Sequence, residues 1–177
     1  FVSCQNNSER GALEQAAANV QLGESGVVTF PSLDSLKITA DYYPNPNAKF
    51  VIVLCHQAGS SRGEYRDIAP KLVDQGYACL AIDLRSGKEM NDVPNKTASE
   101  AKIKGLKPSY IDASQDLEAA INFVAANSAK DIILWGSSYT ASLSLMQAVG
   151  DTRVAKVVAF SPGEYLSNAN TVRNEVK

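Results

Sequence analysis

Residues 132–141 read Ile132-Ile133-Leu134-Trp135-Gly136-Ser137-Ser138-Tyr139-Thr140-Ala141. Four apolar residues without alternation predict a strand covered on both faces, and residues 139–149 predict the helix that follows it. A covered strand that runs straight into a helix through small residues is the repeating step of a parallel sheet. The step recurs along the chain. Phe50-Val51-Ile52-Val53-Leu54-Cys55 is another covered strand, followed by Tyr65, Ile68, Ala69, Leu72 and Val73 at helical spacing and by Gly76 as the C-cap. Pro70 falls inside this run, so the helix is placed to start near Tyr65, where a proline costs least. Ala78 to Ile82 and Val154 to Phe160 read as two more buried strands, and Leu117, Ala120, Ile121, Val124 and Ala125 as another amphipathic helix. Ahead of these, Val27-Val28-Thr29-Phe30 and the alternation of Leu36, Ile38, Ala40 and Tyr42 predict an antiparallel hairpin with one buried face. The expected fold is α/β: a doubly wound, mostly parallel sheet with an N-terminal antiparallel hairpin and right-handed crossovers.

Composition narrows the function. With 45% hydrophobic and 20% charged residues in 177, the chain has enough apolar residues for one real core, which excludes disordered, collagen-like and coiled-coil classes. A net charge of −2 lacks the basic footprint of a nucleic-acid binder. No stretch approaches the ~20 apolar residues of a membrane-spanning helix. A single histidine excludes a His-rich metal site, and no Gly-x-Gly-x-x-Gly follows the first covered strand, so neither a metal nor a dinucleotide cofactor is expected. Cys55 and Cys79 sit in apolar runs at unequal strand heights, which predicts buried thiols without a disulfide.

Gly136-Ser137-Ser138-Tyr139-Thr140 stands between strand and helix, the context of a nucleophile elbow. So tight a turn requires small neighbours. Gly136 supplies one, while Thr140 stands where Gly is usual. The turn would lift the Ser138 hydroxyl above the sheet and aim the Tyr139 N–H, at the positive end of a helix, toward a developing oxyanion. Ser137 is the other candidate, but Trp135 two positions before it is too large for the elbow. His56-Gln57-Ala58-Gly59-Ser60-Ser61 closes a second covered strand, and Asp83-Leu84-Arg85-Ser86-Gly87 closes a third. Residues 84–108 show no clear periodicity and carry five lysines, a long excursion at a strand end of the kind that often serves function.

From about residue 27 to 165 these segments resemble the α/β-hydrolase superfamily. The strings HQAGSSRGEYRDIAP, AIDLRSG, ILWGSSY and AFSPGEY look most like its dienelactone-hydrolase-like branch. The resemblance implies hydrolysis of carboxylic esters or related small acyl substrates, with Ser138 as nucleophile. It implies Tyr139 and Ala58 as backbone oxyanion donors, Gln57 as the alternative donor, and the long 84–108 segment as part of the acyl pocket. His56, Asp83 and Arg85 match loop-ordering positions. Dienelactone hydrolases use a Cys nucleophile where this chain has Ser138, so lactone specificity is not implied. The superfamily order is Ser, then acid, then His, yet no histidine follows Ser138. Glu164, after the fourth covered strand, is the candidate acid; a substrate contact or a solvated side chain is the alternative for it. Acid and base are therefore expected on a C-terminal portion, on the same chain or a second one. That portion would also add two strand–helix units that the α/β-hydrolase domain, from residue 26 to 177, lacks. The competing expectation is a non-catalytic binding domain of the same fold.

Residues 1–25 are polar and Ala-rich and read as a tether, with at most a short helix over 8–20. Phe1-Val2-Ser3-Cys4 resembles the end of a bacterial lipoprotein signal, which implies membrane anchoring through a lipidated Cys4 at the cell envelope, and otherwise a cytoplasmic location.

Overall fold

The computed structural model describes residues 24–166 and residue 172. Cys4, most of the tether and the end of the chain lie outside the described residues.

Six strands form one sheet: β1 (Gly26–Pro31), β2 (Lys37–Tyr43), β3 (Phe50–Cys55), β4 (Ala78–Ile82), β7 (Asp131–Ser137) and β8 (Val154–Phe160). Their order is β1-β2-β4-β3-β7-β8. The β1–β2 hairpin is antiparallel and joins β4 antiparallel, whereas β4, β3, β7 and β8 run parallel. This is the mostly parallel sheet with an antiparallel hairpin that the apolar runs predict.

Both faces of β3 are covered, and its alternate residues serve two cores. Val51, Val53 and Cys55 pack with Leu80, Ile82 and Leu134 under α3 (Ser114–Asn127) and α4 (Tyr139–Ala148). Ile52 and Leu54 pack with Cys79, Ala81 and Ile133 under Tyr65 and α1 (Ala69–Asp74). Phe30 of the hairpin stacks on Phe123 of α3 with ring centroids 4.5 Å apart. Cys55 and Cys79 are free and buried. Ile52 pairs with Cys79 and Cys55 with Ile82, so the thiols sit three residues apart and face opposite cores.

Three local expectations need correction. The helix expected to start near Tyr65 is split: a 3-10 turn, Arg62–Tyr65, is capped by Ser61, and α1 starts only at Ala69 with Pro70 in its first turn. A proline fits there because the first-turn N–H it lacks would have had no helical partner. Residues 84–108 are not irregular. They hold a small hairpin, β5 (Glu89–Met90) with β6 (Val93–Pro94), and a helix, α2 (Lys96–Ile103). Helix α2 buries only Thr97 and Ala101 and is anchored by polar bonds, so hydrophobic periodicity has little to report. Strand β8, expected to be buried, is half exposed and leaves Phe160 46% accessible. Among the described residues it pairs only with β7, so one of its edges stays open.

Register decides what this fold brings together. Cys55 pairs with Gly136 and with Ile82, and Ser137 with Phe160. The residues that follow β3, β4, β7 and β8 (His56, Asp83, Ser138 and Ser161) therefore share the C-terminal edge of the sheet. Chain order reverses on either side of β3, the position where open α/β sheets form a crevice.

Candidate active site

Ser138 stands between β7 and α4 with φ +60° and ψ −124°. A side-chain-bearing residue in this sparsely populated region costs on the order of 1–3 kcal/mol and persists only when its surroundings hold it there. The holding atoms are visible. The Ser138 N–H donates to Phe160 O across 2.9 Å. Gly136 has no room for a side chain, because a Cβ would lie 2.4 Å from Thr140 O and 2.6 Å from Ala141 N. The fully buried Thr140 hydroxyl accepts the Ser137 N–H at 2.8 Å and has Cys55 O and Ser137 O as acceptors at 2.8 and 2.9 Å. Thr140 thus ties the turn to the end of β3, a task that a glycine at this position could not perform. Cys55 O also accepts the Tyr65 hydroxyl at 2.7 Å. The turn after β7 and the loop after β3 hang from one carbonyl.

In that loop, residues 57–59 are exposed while His56 and Ser60 are buried. The Gln57 N–H donates to the Glu64 carboxylate at 3.1 Å. That removes Gln57 as an oxyanion donor, because its proton is already given to a charged acceptor. Among the described residues nothing accepts the Ala58 N–H. The Tyr139 N–H, at the first position of α4, has no intrahelical acceptor. Ser138 stands at the head of α4 next to the Tyr139 amide, and Ala58 lies in the loop that follows β3, the strand paired with β7.

His56 has no accessible surface. Its Nδ1–H donates to Gln57 O at 2.7 Å and its Nε2 accepts the Leu84 N–H at 2.9 Å, which sets the tautomer. Burial pushes its pKa down to about 4, against the opposing pull of the Gln57 bond. A neutral imidazole with both nitrogens engaged orders the loop and takes no proton from Ser138. Asp83 and Arg85 do not pair with each other. Asp83 accepts from Arg62 (N–H 2.9 Å, guanidinium 2.7 Å) and from the Lys96 N–H at the start of α2, 2.8 Å. Arg85 grips Asp116 through Nη2 at 2.6 Å and Asp34 through Nη1 at 2.8 Å. Burial raises the pKa of both Asp83 and Asp116, opposed by the guanidinium each faces. Arg62, Asp116, Thr140 and Asn95 carry much of this framework. The sequence singles out only Thr140 among them, because the cross-fold partners of Arg62, Asp116 and Asn95 lie 11 to 84 positions away.

Tyr139 is buried, stacks on Tyr110 with ring centroids 4.3 Å apart and shares a hydrogen bond with the Ser86 hydroxyl. These contacts border a cleft of about 460 Å³ lined by Ala58, Gly59, Ser86, Gly87, Lys88, Pro108 and Tyr110. Glu164 is exposed and accepts the Val172 N–H at 3.0 Å; Gly163 beside it is bound to the Ser142 hydroxyl of α4. Among the described residues there is no cluster of three potential metal ligands, and no helix is long and apolar enough to cross a membrane.

A family model described as the dienelactone hydrolase family matches residues 38–177. No curated sequence matches. Among solved structures, an α/β hydrolase from Penicillium sp. sh18 is similar with a TM-score of 0.61 and 20% identity, over 79% of this chain and 46% of that one. An esterase from Pyrococcus furiosus is similar with a TM-score of 0.60 and 25% identity, over 81% of this chain and 51% of that one. A thermostable carboxyl esterase from Bacillus coagulans gives 0.60 and 14%, over 76% and 43%. The chain spans about half the length of these structures.

Proposed function

The chain belongs to the dienelactone hydrolase family, and on that premise we propose that it is a serine hydrolase cleaving carboxylic esters or related small acyl substrates. Ser138 Oγ attacks the carbonyl carbon, and the Tyr139 and Ala58 N–H groups hold the oxygen as it gains charge. The alcohol leaves, an acyl-enzyme remains on Ser138, and water releases the acid. The observation that carries this reading is the strained φ of Ser138, +60°, at the head of α4, tied through Thr140 to the loop with the unengaged Ala58 amide. His56, the sole histidine of residues 1–177, is committed on both ring nitrogens and is not the base that takes the Ser138 proton.

That same commitment favours a second reading, a binding domain without a base. A fluorophosphonate probe on the full-length protein separates the two. One adduct by intact mass, abolished in Ser138→Ala, supports the hydrolase. No adduct, or one that survives Ser138→Ala, overturns it and leaves the binding domain.

A further inference from the structure

We propose that Asn95 is a positioning residue for the oxyanion donor at Ala58, so that the order of segment 84–108 is a condition for that donor; this rests on the serine-hydrolase reading above. The Gln57 carbonyl and the Ala58 N–H are opposite ends of one trans peptide, so whatever fixes the carbonyl also aims the amide. His56 Nδ1–H fixes the carbonyl at 2.7 Å. Asn95 then holds the parts that hold His56. It is buried, and its Nδ2 lies 3.2 Å from His56 Nε2, 3.2 Å from Ser60 O and 2.9 Å from Leu84 O. One amide group therefore touches the first residue of the loop, its last residue and Leu84, two residues past the end of β4. Its Oδ1 accepts the Ala98 N–H at 2.7 Å and caps α2.

The chain around this clamp is closed to any added atom. A Cβ at Gly87 would lie 2.0 Å from Asn95 Nδ2, 2.2 Å from Ser60 O and 2.9 Å from His56 Cε1. Backbone bonds run alongside, from Gly59 N–H to Ser86 O at 3.2 Å, Lys88 N–H to Ser60 O at 2.9 Å and Asn95 N–H to Lys88 O at 2.7 Å. Segment 84–108 contributes Ser86, Gly87, Lys88 and Pro108 to the cleft that Ala58 and Gly59 also line. That cleft and the Ala58 donor thus share one fastening. Loosening it misplaces a group that acts on the transition state more than on the bound ester.

The test uses the full-length protein with Asn95→Ser, which keeps an N-capping oxygen and removes the amide donors. With p-nitrophenyl acetate, kcat is expected to fall about tenfold or more, since loss of a whole donor costs about 100- to 1000-fold. KM should stay within about twofold, the pattern of an interaction made only in the transition state. A trifluoromethyl ketone, whose hemiketal oxygen occupies the same donors, should weaken by the same factor as kcat, while the fluorophosphonate adduct on Ser138 still forms. Asn95→Asp keeps the shape and the capping oxygen while losing the same amide donors, and should show the same split if Asn95→Ser does not fold. A folded variant that keeps kcat and ketone affinity within twofold of the parent overturns the proposal and leaves Asn95 a helix cap. A parent protein with neither hydrolysis nor Ser138 labelling overturns the functional reading and this inference together.

Discussion

Replacing Arg85 by Met would strip the charge from one side of a buried ion pair. Arg85 is 2% accessible and Asp116 has no accessible surface. The guanidinium contacts Asp116 through Nη2 at 2.6 Å and through Nε at 3.1 Å, and Asp34 through Nη1 and Nη2 at 2.8 and 3.1 Å. Two bonds to Asp116 survive the change, the Arg85 main-chain N–H at 2.9 Å and the Ser32 hydroxyl at 3.3 Å. They leave a solvent-excluded carboxylate without a counter-charge. Breaking a buried pair from one side costs about 3–5 kcal/mol. At about 2–4 °C per kcal/mol for a domain of this size, the melting temperature should drop by roughly 6–20 °C at neutral pH. Acid should narrow the deficit. Burial already raises the pKa of Asp116, and losing Arg85 raises it further. An aspartate whose folded pKa exceeds its unfolded value contributes stability that is full below the unfolded pKa and lost as pH rises through the folded one. Arg85→Met should therefore lie closest to the parent near pH 4 and farthest from it at pH 7. The double variant Arg85→Met with Asp116→Leu, which buries no charge there, should recover most of the loss. Urea unfolding of the three proteins at both pH values is the assay. A loss under ~1 kcal/mol at pH 7, or a deficit that grows on acidification, would refute the account.

Thr140→Val keeps the shape and removes the hydroxyl that joins the Ser138 turn to Cys55 O. Leaving the Ser137 N–H without that acceptor should cost about 1–3 kcal/mol, read as a lower urea midpoint. His56 gives the opposite pH dependence to Arg85→Met. Its folded pKa is lowered from 6.5 to about 4, so its contribution is present above pH 6.5 and disappears as pH falls through about 4. His56→Gln should flatten the parent's loss of stability across that window, and an unchanged acid limb in chemical denaturation would count against the buried neutral imidazole.

Much of the fold is legible in local sequence. Val51 to Cys55, Ala78 to Ile82 and Ile132 to Leu134 are apolar without alternation because helices cover both faces, so the parallel sheet can be read from the runs. The Ser138 turn is legible for a related reason. A Cβ at Gly136 would lie 2.4 Å from Thr140 O, and that demand is written two residues from the serine. Helix α2 and the Arg62–Asp83, Arg85–Asp116 and Asn95–His56 contacts leave no such trace. They are polar bonds across 13 to 39 positions, and their energy depends on burial and on atoms placed to a few tenths of an ångström. The resemblance already ranks Ala58 ahead of Gln57 as donor, but the engagement of the Gln57 N–H belongs with these contacts. Only the folded chain brings the Glu64 carboxylate within 3.1 Å of the Gln57 N–H. Sequence by itself determined that β3, β4 and β7 are covered and where the tight turn must fall, because burial and steric crowding act on neighbours. Tertiary structure alone decided which donors are spent and which are left, because a hydrogen bond takes its partner from wherever the fold delivers one.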